Sequence, residues 1–509
     1  MSVPTVVHHN KLSEIYDKAT VQVPRYEALL KKFEERYGTK KPDLLIRSPG
    51  RVNVIGEHID YCFFSVLPMA VEADIIMAIQ LTDEPVIEVA NTNPDFPATK
   101  FDLPKDGSPV DIDATKSDWV NYFRCGLVVG QDYLKKNNYP CTKGIKVLID
   151  GNVPTGSGLS SSAAFVVCST LCTLLANGYT DVSKKLLTQL STVCEQHVGV
   201  NSGGMDQSAS IWGLKDHALF VSFLPDLNVV EFGFPETNPK LEFVIANSLV
   251  VSNKQETGPV NYNLRVVEVT LGALLMAKKL NLTIKPDGNL QAGTFRGVVD
   301  AYFANDKTPY GQDIEDSRKK LDKMIELVDE LITQKDGYTT EQIASELEMS
   351  VDELKTKFMT KYPVRYEVLK LYRRAYHVFT EAKRVLDFLS LLQNPPADSQ
   401  KLIADLGNLM NQSQDSQRDY FNNSLPQLDE ICSIARENGA AGARITGAGF
   451  GGSTVLLTPA NKSQQVIDAL KKDYYKKHYP KITDEELADA LLVSKPGSGT
   501  TIIDNLSLE

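Results

Sequence analysis

A chain of 509 residues, 42% hydrophobic and 23% charged, is long enough for two or three domains with sizeable cores. Its 54 basic and 65 acidic residues leave a formal net charge of −11, which excludes a general binder of nucleic acid or of an anionic membrane. No run of about 18 apolar residues occurs, so no transmembrane helix is expected. Met1–His9 lacks the basic, apolar and small-residue regions of a signal peptide. Seven cysteines with no C-x-x-C pair read as reduced thiols of a cytoplasmic protein, most of them small core residues.

In chain order, residues 1–42 read as a helical lead-in. Residues 43–235 mix strands at Ala73–Leu81 and Gly144–Ile149 with helices at Trp119–Leu134 and Lys184–Val198. A proline-containing break at Phe234–Pro239 marks a domain boundary, so 43–235 and 236–509 are expected to be separate domains. The second opens on a strand at Leu241–Ala246. Helices follow at Tyr262–Leu280, Ile314–Ile332, Val364–Leu392 and Lys401–Phe421, then strands at Ser453–Leu457 and Thr501–Ile503. Thr339–Phe358 reads as two short helices joined at Met349-Ser350; its acidic charge favours a structural insertion over a DNA reader. The fold class is α+β.

Four clusters carry chemistry. Gly151–Ala164, between an apolar strand and a helix, is a glycine-rich turn that opens a helix. Unpaired backbone N–H groups at the positive end of a helix dipole suit phosphate. No Walker lysine accompanies it, so the cation must come from elsewhere. Arg47–Tyr61 packs Arg, Glu, His and Asp beside two glycines, which suits a polyol; a solvated turn is the plain alternative. In Glu195–Gln207 a carboxylate precedes a glycine-rich turn and another follows it. One could hold Mg²⁺ and the other meet a reacting hydroxyl, although Asp206 taken singly also fits a helix N-cap. Arg444–Ser453 contains four glycines, for close approach to a ligand or another loop, or for a bulge before a strand.

Taken together and in this order, these motifs resemble those of the GHMP small-molecule kinases, and Gly50–Tyr61 resembles the galactokinase signature within that superfamily. The likeness runs from about Asp43 to about Ser498. Ser65–Pro68, Val251–Lys254, Asn261–Val269 and Val493–Pro496 are similar to fungal galactokinases in particular. The resemblance implies two lobes with the active site in the cleft between them. The N-terminal lobe would be like ribosomal protein S5 domain 2, and the C-terminal lobe an α/β, ferredoxin-like one with helical insertions. It implies Mg·ATP-dependent phosphorylation of α-D-galactose at the anomeric hydroxyl, in galactose catabolism by the Leloir pathway.

By the same resemblance Asp206 is the catalytic carboxylate and Arg51 its cationic neighbour. Sugar contacts fall on Arg51, Glu57, His58, Asp60, Gly203 and Tyr262. ATP contacts fall on Gly156, Ser157, Gly158, Leu159, Ser160, Ser161 and Ser162, with Trp119 and Tyr122 lining the adenine pocket; amphipathic core packing is the alternative for the two aromatics. Ser162 and Glu195 are the Mg²⁺ ligands. The chain departs from the fungal pattern at Gln196, Phe450, Ser453 and Asn423–Gln427, and at Phe63, which bears on sugar selectivity. Two other functions share these motifs: an N-acetylgalactosamine kinase, and a galactose- and ATP-dependent sensor that binds a transcriptional repressor. The complete Ser160–Ala164 run, with Asp206, Arg51 and Glu195, favours catalysis. No nucleic-acid or membrane partner is expected, and a monomer is.

Overall fold

The two long strands β2 (Leu44–Ile55) and β3 (Leu67–Thr82) form the centre of a seven-stranded sheet. Apolar residues on both faces bury them almost throughout, which only a covered central strand tolerates. The other strands are β1 (Val7–Lys11), β4 (Val86–Asn91), β5 (Thr99–Asp102), β6 (Gly144–Gly151) and β13 (Thr501–Ser507), in the order β1-β13-β2-β3-β6-β4-β5. The β1–β13 and β4–β6 pairs are parallel and the rest antiparallel. The computed structural model describes residues 3–104, 106, 108–113, 118–197, 203–251, 258–360 and 363–508, with the side chains of Glu195 and Gln196 left aside.

One face of this sheet is covered by α1 (Ala19–Tyr37), which sets Tyr26, Leu29 and Phe33 against it. The other meets α2 (Asn121–Lys136) and α3 (Ser161–Ala176). Every residue of α3 from Ala163 on is buried, as expected of a helix apolar all round. Next in the chain come α4 (Lys184–His197) and α5 (Met205–Trp212), then the hairpin of β7 (His217–Ser222) and β8 (Asn228–Gly233).

A second, antiparallel sheet has the order β10-β11-β9-β12, from β10 (Gly442–Thr446), β11 (Ser453–Pro459), β9 (Leu241–Asn247) and β12 (Leu491–Ser494). Helices Tyr262–Lys279, Ile314–Leu331 and Leu371–Gln393 share one large core with β2, β3, β9 and β11. That core ties the two halves together through Val54, Leu67, Leu271, Val385 and Val455. Among the described residues, no helix is long and apolar enough to cross a membrane.

The lead-in is only partly helical, because β1 precedes α1 and pairs with β13 from the far end of the chain. The strand expected at Ala73–Leu81 is the later part of β3. The helix expected from Val364 starts at Leu371, since Tyr338 and Leu369 exchange backbone hydrogen bonds of 2.9 and 2.8 Å that a helix would have claimed. The helix expected over Lys401–Phe421 is α-helical over Ser399–Ser416 and ends in a π-helical turn, Gln417–Phe421. Strand β2 escaped sequence reading because its Arg, Ser, Asn and Gly residues break the alternation that marks a strand. The two short helices expected within Thr339–Phe358 are present, Thr340–Glu346 and Val351–Met359, with Ser350 capping the second.

Candidate active site

Strand β2 delivers Arg51, only 2% exposed. Its Nε donates to Oδ1 of Asp206 at 2.8 Å, and its Nη1 to the Gly158 carbonyl at 2.6 Å. Asp206 lies in the first turn of α5, where the helix dipole favours negative charge. The N-cap position belongs to Gly204, in the left-handed region at φ 98°, which corrects the N-cap alternative for Asp206. The second oxygen of Asp206, Oδ2, accepts from Ser160 Oγ at 2.6 Å. Both carboxylate oxygens are thus held, one by a cation and one by a hydroxyl.

Beyond Ile55 the chain turns through Gly56 (φ 110°) and His58 (φ 61°). Glu57 is buried; its Oε1 accepts from the Gly447 amide at 2.7 Å and lies 3.6 Å from Nη2 of Arg444. Burial pushes its carboxyl up to about 7, against the pull of Arg444 and Arg51. His58 Nε2 donates to the Ala448 carbonyl at 2.9 Å; a carbonyl can only accept, so this nitrogen carries the proton. Its Nδ1 is 2.9 Å from the Tyr61 hydroxyl, and its ring lies 5.4 Å from that of Tyr262 and 4.5 Å from that of Phe421. Burial, reinforced by the charge of Asp206, raises the Asp60 carboxyl to about 6. Glycine is required at 203, because a Cβ there would come within 2.4 Å of the Tyr61 nitrogen and 2.5 Å of Asp60 Oδ2. Of the six residues expected to touch sugar, Arg51 bonds Asp206, Asp60 feels its charge and Gly203 packs on Asp60, while His58 and Tyr262 meet through their rings and Glu57 lies against Gly447.

The glycine-rich loop within Gly151–Ala164 bends through Gly156 (φ 70°), Gly158 (φ 75°) and Ser160 (φ 59°) into α3. A cavity of about 870 Å³ opens over it. Gly156, Gly158, Leu159, Ser160, Ser161 and Ser162 line one side, with Arg51 and Ala448. Trp119 and Tyr122 line the other, with Phe96 and Phe165; ring centroids lie 5.6 Å apart for Phe96–Trp119 and 6.0 Å for Trp119–Phe165. Trp119 Nε1 donates to the Pro97 carbonyl at 3.2 Å, which leaves its ring as the lining surface. Ser157 does not line this cavity. Its hydroxyl turns inward to donate to the Pro154 carbonyl at 2.6 Å, and its own carbonyl accepts from Ser453 Oγ at 2.6 Å.

The fourth cluster packs on the first. A Cβ on Gly447 would stand 2.6 Å from the Gly158 oxygen, and one on Gly452 3.0 Å from the Ser157 oxygen. Close approach to another loop, one of the readings left open for these glycines, is present. The Ser453 departure takes part, since its hydroxyl bonds the Gly151–Ala164 loop. Phe63 and Phe450 both adopt left-handed backbone, at φ 64° and 57°, and the Arg265 guanidinium lies 5.4 Å from the centre of the Phe450 ring. The side chain of Glu195, on α4, lies outside the described residues, as do residues 198–202. Sequence reading missed Phe96 and Phe165, whose aromatic character alone carried no spacing signal. It named Arg444 without a role for it.

Three family profiles match the chain: the galactokinase galactose-binding signature over residues 31–81, the GHMP kinases N terminal domain over 121–214 and the GHMP kinases C terminal domain over 398–476. The chain is 45% identical to a galactokinase of Schizosaccharomyces pombe, covering 98% of this chain and 99% of that one. It is 45% identical to a galactokinase of Saccharomyces cerevisiae, over 94% of each. Its fold is similar to that of a Lactococcus lactis galactokinase solved with galactose, with a TM-score of 0.67, 24% identity, and coverage of 94% of this chain and 99% of that one.

Proposed function

The chain belongs to the galactokinase family, GHMP kinases that phosphorylate galactose with ATP as co-substrate, and we propose that Asp206 and Arg51 are the groups at the reacting atoms. The transfer would go from the γ-phosphoryl group of Mg·ATP to the anomeric oxygen of α-D-galactose. The observation that carries the assignment is the Asp206 carboxylate, held by Arg51 and Ser160 where the sugar turn meets the phosphate loop.

In this reading Asp206 accepts the hydrogen bond of the galactose hydroxyl and takes its proton as the phosphoryl group arrives. Arg51 stabilises the charge on the transferring oxygens. Glu57, His58, Asp60 and Tyr262 hold the sugar by its hydroxyls and its apolar face. The nucleotide would lie with its phosphates over Gly156–Ser162 at the start of α3 and its base between Trp119, Tyr122 and Phe165. The donors suit Mg²⁺: the Ser162 hydroxyl on the cavity wall, the Glu195 carboxylate and phosphate oxygens. Bound there, Mg²⁺ would offset the phosphate charge. A cytoplasmic location is part of the same reading, supported by seven cysteines, none of which is joined in a disulfide.

The test is ADP release with Mg·ATP and galactose, N-acetylgalactosamine, glucose or no sugar, with Asp206→Ala alongside. Galactose-dependent turnover that falls at least ~1,000-fold in Asp206→Ala is expected. Normal turnover in that variant would remove Asp206 from the chemistry. Preference for the acetamido sugar would move the substrate, and silence with every sugar in a protein that still binds galactose and ATP would leave a sensor.

A further inference from the structure

We propose that His377, Glu381 and Val385, on the helix Leu371–Gln393, form a clamp that positions Glu57 and His58 for the sugar. The inference rests on the reading that Glu57 and His58 contact galactose. None of the three lies in a motif, and all come from the half of the chain opposite the sugar turn.

Residues i, i+4 and i+8 share one face of a helix. Here that face runs along the backbone of Gly56–Glu57. Glu381 Oε1 accepts from the Gly56 amide at 2.9 Å and from the Glu57 amide at 3.3 Å. His377 Nε2 lies 3.1 Å from the Glu57 carbonyl, which can only accept, so Nε2 donates. One turn beyond Glu381, Val385 leaves no room at residue 56: a Cβ there would stand 3.0 Å from its Cγ2. Gly56 is thereby confined to glycine both by its φ of 110° and by the helix behind it. The Gly56 and Glu57 amides and the Glu57 carbonyl are thus held, and Val385 packs on the turn, as does Val66, which would also stand 3.2 Å from a Cβ at 56.

The clamp is itself braced. Glu381 accepts from Ser413 Oγ at 2.7 Å and from Arg384 Nε at 2.8 Å, and the His377 Nδ1 lies 2.9 Å from Ser416 Oγ. Glu381 and His377 are both fully buried. Burial opposes charge on Glu381, but Arg384 and Arg444, with the Ser413 hydrogen bond, bring its carboxyl down to about 2, so it meets the two amides as an anion. Burial lowers His377 to about 4, so it donates as a neutral imidazole with its proton on Nε2. A second route runs through Phe421, whose ring lies 4.5 Å from both His377 and His58. The π-helical turn that ends at Phe421 places it there. An ordinary core helix would need apolar residues at 377 and 381 as it has at 385; an anion and an imidazole aimed at one turn's backbone are what positioning requires.

The experiment measures galactose and ATP KM, kcat and Tm for Glu381→Gln, His377→Leu, His377→Gln and Glu57→Gln. A glutamine at 377 can still donate to the Glu57 carbonyl, whereas leucine cannot. Galactose KM is expected to rise about tenfold in Glu381→Gln and His377→Leu with ATP KM unchanged, and to return towards the parent value in His377→Gln. In a Glu57→Gln background the Glu381→Gln effect should largely disappear, as it does when one residue acts through another. Galactose KM raised by Glu57→Gln but unmoved by the clamp variants would overturn the inference and leave the sugar assignment standing. Equal losses for both substrates would reduce the clamp to general packing and overturn it as well. An unmoved galactose KM in Glu57→Gln would overturn the sugar assignment, and the clamp with it. If Glu381→Gln does not fold, the His377 pair decides alone.

Discussion

Glu57 and Asp60 are buried carboxyls with values of about 7 and about 6, above the unfolded carboxyl range of ~4. The folded state therefore takes up their protons first as pH falls. Their stabilising contribution is complete below pH ~4 and is lost as pH rises through 6 and then 7. His377 works the other way. Its folded value of about 4 lies below the unfolded imidazole, so its contribution is present above pH ~6.5 and is lost as pH falls towards 4. The difference between the parent and a Glu57→Gln/Asp60→Asn variant isolates the two carboxyls. In the ligand-free protein, the parent Tm is expected to drop relative to that variant between pH 5 and 8. Parallel Tm curves would mean that neither carboxyl is raised. The same carboxyls are the ones the sugar hydroxyls would meet, so the site stores unfavourable charge burial that substrate hydrogen bonds can relieve.

At the scale of elements, the cavity proposed for the nucleotide is walled by residues on or next to α2 and α3, which approach closely. Gly126 and Gly130 permit it: a Cβ on Gly126 would stand 2.5 Å from Ser169 Cβ and 2.6 Å from the Thr170 nitrogen, and one on Gly130 2.8 Å from Thr173 Cγ2. Trp119 lies just before α2, Tyr122 in its first turn and Phe165 on α3. Gly126→Ala should wedge the helices apart, lower stability by about 1–3 kcal/mol and raise ATP KM more than galactose KM. Steady-state kinetics with each substrate varied would check this, and a selective rise in galactose KM would count against it. The 156–162 loop is likewise packed closely, by Ser453 and the glycines of the 447–452 turn.

Across the whole molecule, the last strand closes the first sheet. β13 lies between β1 and β2, and Arg47, fully buried, donates from Nη1 to the Ser498 and Gly499 carbonyls at 2.6 and 3.2 Å. The same guanidinium bonds Asp74 at 2.6 Å, and Asp74 also receives Arg25 at 2.7 Å. Removing residues 498–509 would strip β1 of its partner and leave buried donors of Arg47 without acceptors, at about 1–3 kcal/mol for each group. The truncated chain is expected to lose its cooperative thermal transition. An unchanged Tm by calorimetry would show that β13 is dispensable. The sheet of the segment 43–235, marked off by the proline-containing break, is thus completed by strands from both ends of the chain.

The sequence by itself determined what depends on near neighbours. Gly156–Ser162 before an apolar helix, the Arg, Glu, His and Asp of 51–60, and Asp206 behind two glycines are chemical patterns that local spacing displays. Most helices and several strands were legible for the same reason, since periodicity is a local property. Only the tertiary structure decided which patterns meet. The Glu57–Gly447 bond spans 390 residues and the Glu57–His377 bond 320, and no local preference encodes such distances. His377 and Glu381 look in sequence like the polar positions of any amphipathic helix. They become specific only because one core, shared by both halves, lays that helix along the sugar turn. Likewise the left-handed Ser160 reads as one serine in a run of three, until folding sets its hydroxyl against Asp206.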